Sequence, residues 1–330
     1  MKKKATKRYI NLDAIKILTV MLMVFAMYPF KGVIGEYVAC ICQIGIPLLF
    51  MVAGYIYFMK EDKEEFNAIV ILLKIYLIAS AAYLLLQMVL QIINGNFKEY
   101  MSSLLTSKAL IDFLLFNKSP GAPTMWIIGA LLYTMIIVQQ ARINFPKSFI
   151  RMLSIVTPML LLVDLVAGKY SLLLFNREFE IYKLTNYLFV GIPNFVIGYL
   201  IAGNRIKLNI KASTLNIVTA VLIILNIVER FLLVKFGING GREQYLLTTF
   251  VAIAVFVIFI KTPQTNPGIV RISKTGRYYS PLMFIIFPAV GIILNALLGS
   301  FAVYLYIRPI IIIMISYWIT YFVANKIAEI

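Results

Sequence analysis

The chain lacks histidine altogether: none of its 330 residues is one. Histidine is the only side chain whose unperturbed pKa lies near neutrality, so the usual proton carrier for activating a hydroxyl at pH 7 is missing. Any catalytic function therefore needs another base. Cysteine is almost absent, because Cys40 and Cys42 are the only two. Two residues apart on a helix they point in different directions, and no further Cys or His completes a metal shell, so we expect packing residues and neither a disulfide nor a metal site.

Charged residues are also scarce, at 14% of the chain against 62% hydrophobic residues and a mean hydropathy of +0.90. This balance excludes a soluble domain of this length and is typical of a membrane protein. The apolar runs are continuous rather than alternating and are long enough to cross about 30 Å of hydrocarbon, which favours helices over barrel strands. We therefore expect an all-α, polytopic integral membrane helix bundle in which residues 1–330 form a single domain.

About ten transmembrane helices are predicted from the apolar runs. Their ranges are 12–30, 37–59, 68–93, 125–140, 149–167, 187–202, 215–234, 245–260, 281–299 and 301–325. The apolar segment 109–116 is too short to span and is expected to lie in the interface or to re-enter. No small-residue cleavage site follows the first run, so we expect a retained helix rather than a signal peptide.

The positive charges indicate the orientation, because Lys and Arg in short loops stay on the cytoplasmic side. Basic clusters fall on alternate loops, at 142–151, 205–211 and 261–277. We therefore expect a multi-pass protein of the bacterial cytoplasmic membrane with both termini in the cytoplasm. The net charge of +17 indicates contact with anionic lipid headgroups. Because the basic residues are spread along loops, no nucleic-acid partner is expected.

Two long non-cytoplasmic segments result from this topology, 94–124 and 168–186. Loops often carry specificity on a helical scaffold, so we expect acceptor recognition there; the alternative is that they merely connect helices. The charged stretch 60–65 is predicted to be a solvated cytoplasmic turn. Glu229 and Arg230 are predicted to form a solvated helix end, with contact to substrate as the alternative.

The first predicted helix carries a polar stripe. At 100° per residue, Asp13, Lys16 and Met27 share one face of the sequence RYINLDAIKILTVMLMVFAMYPF, residues 8–30. This pattern resembles the acyltransferase-3 family, whose first helix carries an acidic residue, a basic residue three positions later and a histidine further along. Asp13 and Lys16 match that spacing, and Met27 stands at the histidine position.

The resemblance continues along the chain. GIPLLFMVAGYIYF (45–58), MWIIGALL (125–132) and LFVGIPNFVIGYLIAG (188–203) are similar to further helices of the family. SPLMFIIFP (280–288) is similar to a late helix that usually ends in His-Pro, and Phe287 stands at that second histidine position. The Ile-Pro phrases and the Gly-Tyr ending also resemble the membrane domain of the vancomycin-resistance serine racemases.

The resemblance implies O-acyl transfer from acyl-CoA to a hydroxyl of a cell-envelope glycan or lipid-linked sugar, with no bound cofactor. Such transfer needs a base close to the hydroxyl and groups that hold the CoA phosphates and the developing oxyanion. Asp13 and Lys16 are expected to orient or bind substrate at the cytoplasmic mouth. Met27 has no proton to exchange. Trp126 is expected to be an interfacial aromatic or, by the resemblance, to line the acyl-donor cavity.

Two further residues are candidates for the site. Asp164 lies inside the fifth predicted span, where an acid is a functional candidate by default, and is the first choice for a substitute base. The alternative is that it is hydrated or paired with a loop cation. Arg308 precedes Pro309, whose missing amide frees a carbonyl, and we expect it to bind a phosphate or carboxylate or to anchor the helix at the interface.

Three functions stay open at this point. The first is a working O-acyltransferase with a nonhistidine base. The second is a catalytically silent relative that binds an envelope precursor or a partner enzyme. The third is uptake of a small molecule such as an amino acid, which is least favoured because Lys74 and Asp164 are the main charges within the predicted spans.

Overall fold

The computed structural model describes residues 10–119, 121–206, 210–238 and 244–329. Of the chain, 82% is helical, and no strand occurs in these ranges, which confirms the all-α class. The α-helices are α1 (Ile10–Met27), α2 (Val33–Cys42), α3 (Gly45–Phe58), α4 (Asp62–Ile93), α5 (Phe97–Leu104), α6 (Ser107–Phe116), α7 (Trp126–Asn144), α8 (Phe149–Ala167), α9 (Ser171–Phe175), α10 (Ile192–Ala202), α11 (Ala212–Lys235), α12 (Thr248–Lys261), α13 (Pro267–Leu298) and α14 (Ala302–Glu329). Short 3-10 turns lie at Pro123–Met125 and Ile181–Lys183, and a π turn at Tyr187–Gly191 leads into α10.

Eight candidate spans in the described residues are long and apolar enough to cross a membrane, so the chain is a multi-pass membrane protein. The shorter apolar helices Tyr187–Ala202 and Thr248–Lys261 coincide with the other two predicted spans. The ninth span begins earlier than predicted, at Pro267. Its start is fixed by Asn266, whose side chain accepts hydrogen bonds from the amides of Gly268 and Ile269.

The described chain forms two compact units, and neither is a continuous stretch of sequence. The first comprises the described residues of Met1–Val52, Leu208–Ile227 and Phe250–Ile330. In it α1 packs along α13 so closely that a side chain at Gly276 would overlap the carbonyl of Asp13. Such close approach needs a small residue, which is the usual reason for glycine between membrane helices.

The second unit comprises the described residues of Ala53–Lys207 and Val228–Thr249. In it α4 and α7 run antiparallel, because Tyr76 contacts Gly129 and Glu65 contacts Arg142. The order of these contacts is reversed between the two helices. Gly54 of α3 lies directly against the backbone of Phe195 in α10. Gly129 and Gly54 therefore allow α7 to approach α4 and α3 to approach α10 closely.

Candidate functional site

Asp13 and Lys16 form an ion pair at the start of α1. Lys16 Nζ lies 3.0 Å from Asp13 Oδ1, and the Asp13 side chain is 12% exposed while that of Lys16 is 34% exposed. Their spacing of three residues places them on one helix face, as the sequence indicates. The carboxylate is therefore already paired, and the ammonium group is the part of the pair that reaches solvent.

The two positions at which the resemblance places histidine hold Met27 and Phe287. Met27 ends α1 and is half-buried, whereas Phe287 in α13 is fully buried. Tyr28 meets Phe287 edge-on, with 6.5 Å between ring centroids, and its hydroxyl donates to the Pro288 carbonyl at 3.3 Å. The Tyr28 ring also lies directly against Gly291. Apolar and aromatic groups thus fill this part of the α1 and α13 interface.

Arg308 contacts the turn that follows α1. Its Nη2 atom donates to the Pro29 carbonyl at 2.7 Å. Pro309 has no amide to give the carbonyl of Leu305, and the Lys31 amide donates to that oxygen instead, at 3.0 Å. The proline break in α14 therefore creates the acceptor that docks this turn, as is common where proline interrupts a membrane helix. Binding of a phosphate or carboxylate by Arg308 stays a prediction.

Asp164 lies near the end of α8 and is buried, at 5% exposure. It belongs to the second unit, whereas Met27 belongs to the first. Lys169, just after the end of α8, is also buried, and its Nζ atom lies 4.6 Å from the centre of the Tyr245 ring. Burial agrees with the reasoning that made Asp164 a candidate base, and its role stays a prediction.

Glu229 and Arg230 were expected to form a solvated helix end, and that expectation is wrong for Arg230, whereas Glu229 is half-buried. Arg230 is buried, and its Nη1 atom donates to the Tyr245 hydroxyl at 3.0 Å. Glu229 Oε1 accepts from the Tyr170 hydroxyl at 2.7 Å and from the Leu246 amide at 2.7 Å. The segment just before α12 supplies the Tyr245 hydroxyl that accepts from Arg230 and the Leu246 amide that donates to Glu229, and Tyr170 before α9 supplies the other donor.

Together, Lys169, Tyr170, Glu229, Arg230 and Tyr245 form a cluster that we call the α11 polar cluster. Tyr170 lies outside the candidate spans, and burial, followed by its hydrogen bond to Glu229, raises the pKa of its hydroxyl above the usual range. It therefore stays a donor at neutral pH. The predicted topology places this cluster at the non-cytoplasmic end of its helices.

Trp126 is the first residue of α7 and is half-buried. It follows the 3-10 turn Pro123–Met125, at the end of the predicted segment 94–124. This position at a helix start suits an interfacial aromatic. Lining of an acyl-donor cavity by Trp126 stays a prediction.

The two long segments predicted to face away from the cytoplasm contact each other. Lys118 of the first segment lies with its Nζ atom 4.1 Å from the centre of the Tyr182 ring in the second. Lys108 Nζ lies 3.9 Å from Glu180 Oε1, and Lys183 Nζ lies 2.7 Å from Glu180 Oε2. Hydrogen bonds from Lys183 and then from Tyr182 lower the pKa of Glu180 to about 2. Electrostatic and aromatic contacts therefore join these segments.

The sequence did not predict the ion pair between Glu65 and Arg142. Arg142 Nη1 donates to Glu65 Oε1 at 2.8 Å, and Nη2 contacts the second oxygen of the same carboxylate. The Glu65 side chain is fully buried, so it is not part of a solvated turn as predicted. The sequence signal was an acid just before one predicted span and a base just after the next, since consecutive helices that pack antiparallel bring these two ends together.

No group of three or more His, Cys, Asp or Glu residues in the described ranges is placed to hold a metal ion. Cys40 and Cys42 are buried and are not joined in a disulfide, and Cys40 Sγ lies 3.0 Å from Asn226 Oδ1. Comparison of the chain with protein-family models, with curated proteins and with solved structures finds no match. Membership of the acyltransferase-3 family therefore stays a prediction that rests on the motifs quoted above.

Proposed function

We propose that this chain is a membrane protein of the acyltransferase-3 type that binds acyl-CoA and a hydroxyl acceptor of a cell-envelope glycan or lipid-linked sugar. We further propose that it is silent in histidine-based acyl transfer. The observation that carries this second part is the fully buried Phe287, packed edge-on against Tyr28 at the position where the resemblance implies an imidazole.

The chemistry explains why this packing argues for silence. Acyl transfer to a hydroxyl needs a base within hydrogen-bond reach of the proton that leaves. Neither the thioether of Met27 nor the ring of Phe287 accepts a proton at neutral pH. The Tyr28 hydroxyl is already engaged as a donor to Pro288. In this proposal the ion pair of Asp13 and Lys16 serves binding. The two positions at which the resemblance implies histidine hold side chains that only pack against their neighbours.

A second candidate function is acyl transfer in which Asp164 acts as the base. The observation that favours it is the burial of this carboxylate in a helix that crosses the membrane, where acids are rare unless they have a role. In this mechanism Asp164 takes the acceptor's hydroxyl proton while the acceptor oxygen forms the new ester bond. Coenzyme A then leaves as the thiolate and takes up a proton.

The test uses the full chain in lipid vesicles with acetyl-CoA and a lipid-linked sugar. Retention of labelled acetyl-CoA measures donor binding, and chromatography of free CoA measures transfer. We expect wild type to bind acetyl-CoA and to release no CoA above the protein-free rate. The variant M27H, with and without F287H, tests whether an imidazole restores release, and M27L is the apolar control.

The outcomes separate the two candidates. Acceptor-dependent release by wild type would refute the silent function, and loss of that release in D164N would identify Asp164 as the base. Failure of wild type to bind acetyl-CoA would refute donor binding itself. In cells, acetyl esters on the envelope glycan of a deletion strain that carries wild type or M27H give the same comparison.

A further inference from the structure

Helix α13 carries three basic residues on one face of its first half. Arg271, Lys274 and Arg277 follow at intervals of three residues, so each lies about 60° around the helix from the one before. All three are exposed, and none of them forms an ion pair with a carboxylate of the described residues. We call these three residues the α13 basic face.

Few acidic residues accompany this face. On the buried side of the same turns, Gly276 lies against the Asp13 carbonyl, and the Asp13 carboxylate already pairs with Lys16 at 3.0 Å. The chain has no Asp or Glu from Gln244 to Ala328. Among the described residues the α13 basic face is therefore an uncompensated patch of positive charge, and we expect an anionic partner for it.

Aromatic side chains of α13 and α14 gather at the end of this face. Tyr279 lies 5.8 Å from Tyr317 and 6.1 Å from Tyr321, measured between ring centroids. Trp318 contacts Tyr321 at 6.4 Å and is 55% exposed. We call these four residues the aromatic band. Tyrosine and tryptophan are enriched where hydrocarbon meets lipid headgroups, because their rings are apolar while their polar groups stay hydrated.

The helix lengths agree with a membrane interface at this level. Helix α13 continues from Tyr279 to Leu298 over about 29 Å, and α14 runs from Ala302 to Tyr321 over a similar length. The turn 299–301 joins the two helices. The hydrocarbon core of a bilayer is about 30 Å thick. The aromatic band and this turn are therefore as far apart as the two surfaces of the hydrocarbon.

The α13 basic face extends outward from the aromatic band. Along the helix axis, Arg277, Lys274 and Arg271 lie about 3, 8 and 12 Å beyond Tyr279. The headgroup region adds about 5–8 Å on each side of the hydrocarbon. Arg and Lys side chains are long enough to turn toward lipid phosphates from a few ångströms further out. All three charges are therefore within reach of the phosphate layer.

We propose that the α13 basic face binds the phosphate groups of anionic phospholipids, such as phosphatidylglycerol, in preference to zwitterionic ones. Guanidinium and ammonium groups donate hydrogen bonds to phosphate oxygens, and a zwitterionic headgroup adds a cation that the face repels. Each Lys or Arg beside a membrane favours anionic lipid by about fivefold. The predicted topology places this face in the cytoplasmic leaflet. The inference does not rest on acyl transfer or on the acyltransferase-3 resemblance.

Trp318 supplies the readout, because it lies in the aromatic band. The chain has one other tryptophan, Trp126, so the variant W126F leaves Trp318 as the single reporter. The full chain is reconstituted in phosphatidylcholine vesicles, to which dibrominated phosphatidylglycerol or dibrominated phosphatidylcholine is added in equal steps. Bromine quenches tryptophan emission on contact, so the two quenching curves give the ratio of the two association constants near Trp318.

The variants separate charge on this face from charge elsewhere. R271Q/K274Q/R277Q neutralises the face, and glutamine has nearly the helix propensity of arginine and lysine. The matched control K147Q/R151Q/R205Q removes the same charge from exposed residues of the predicted cytoplasmic clusters 142–151 and 205–211. R271K/R277K keeps the charge of the face. An unchanged Trp318 emission maximum in pure phosphatidylcholine shows that a variant has folded.

The expected ratios follow from the number of charges on the face. With the natural face, in the W126F background, phosphatidylglycerol should be favoured by about fivefold or more, and the ratio should fall toward one in about 1 M salt. R271Q/K274Q/R277Q should have a ratio near one. K147Q/R151Q/R205Q and R271K/R277K should keep the ratio of the natural face.

Three results would overturn the inference. The first is a ratio near one with the natural face. The second is a ratio that R271Q/K274Q/R277Q leaves unchanged, or that the control variant lowers equally, since net charge would then be the cause. The third is displacement of the brominated lipid by dissolved glycerol 3-phosphate at a concentration too low to act by screening, which would make the face a site for small anions.

Discussion

The ion pair between Glu65 and Arg142 predicts an asymmetric response to mutation. The Glu65 side chain is fully buried, whereas that of Arg142 is 27% exposed. Removing Arg142 leaves a carboxylate without its cation in a closed site. Removing Glu65 leaves a guanidinium that still reaches solvent and lies 5.9 Å from the centre of the Tyr57 ring. R142M should therefore destabilise the protein more than E65L does.

The expected sizes follow from the two environments. Breaking a buried pair by removing one partner costs about 3–5 kcal/mol, and R142M should lie in this range. E65L should cost about 1–2 kcal/mol, because its orphaned partner is partly solvated. The double variant should lie within about 1 kcal/mol of wild type, since apolar groups of similar volume replace both charges. The coupling between the two sites is then about 5 kcal/mol.

The assay follows Trp126 emission on heating in the W318F background, since Trp126 starts the helix that carries Arg142. A change of 1 kcal/mol corresponds to roughly 2–4 °C, so R142M should lower the midpoint by about 10 °C. A larger loss of stability in E65L than in R142M would contradict the expected asymmetry. Single effects that add in the double variant would contradict the coupling.

Two other predictions concern packing and pH. In α13, G276A should destabilise by about 1–3 kcal/mol, although helix propensity alone predicts a gain of about 1 kcal/mol, because the new methyl group meets the Asp13 carbonyl. The control G268A near the start of the same helix places its methyl group 3.3 Å from a side-chain oxygen of Asn266 and against no backbone atom, so it should cost less than G276A. A stabilised G276A would contradict the close packing. The hydrogen bond from Lys183 lowers the pKa of Glu180 from 4.5 to about 2. The Glu180 carboxylate should therefore stabilise the fold of its segment fully above pH 4.5, and this stabilisation should be lost as the pH falls toward 2. The rate at which pepsin cleaves this segment in wild type should then approach the rate in E180Q as the pH falls. A ratio of the two rates that does not change with pH would contradict the role of Glu180.

Local features were predictable from local sequence. A continuous apolar run indicates a membrane helix by its length alone, and every predicted span overlaps helical residues, although span 37–59 is divided between α2 and α3 and span 281–299 covers only the later part of α13. The pair of Asp13 and Lys16 was predictable because three residues of helix place both on one face. The start of α13 was misplaced because its first turns are polar, and the signal missed was Asn266 before a proline.

Part of the candidate site could not be read from the sequence, because it depends on which helices become neighbours. Glu65 and Arg142 are separated by 77 residues. The Lys31 amide donates a hydrogen bond to the carbonyl of Leu305, which lies near the other end of the chain. Tyr28, the residue that follows α1, meets Phe287 of α13, and this contact joins positions far apart in the sequence.

By itself, then, the sequence determined that this is a multi-pass helical membrane protein, that it has no imidazole, and where most of its helices lie. These properties depend on composition and on neighbours within a few residues. The tertiary structure alone decided which charges are buried and which polar atoms are left without partners. The fate of a polar group depends on the helix packed against it, and small contacts such as Gly276 on Asp13 set that packing.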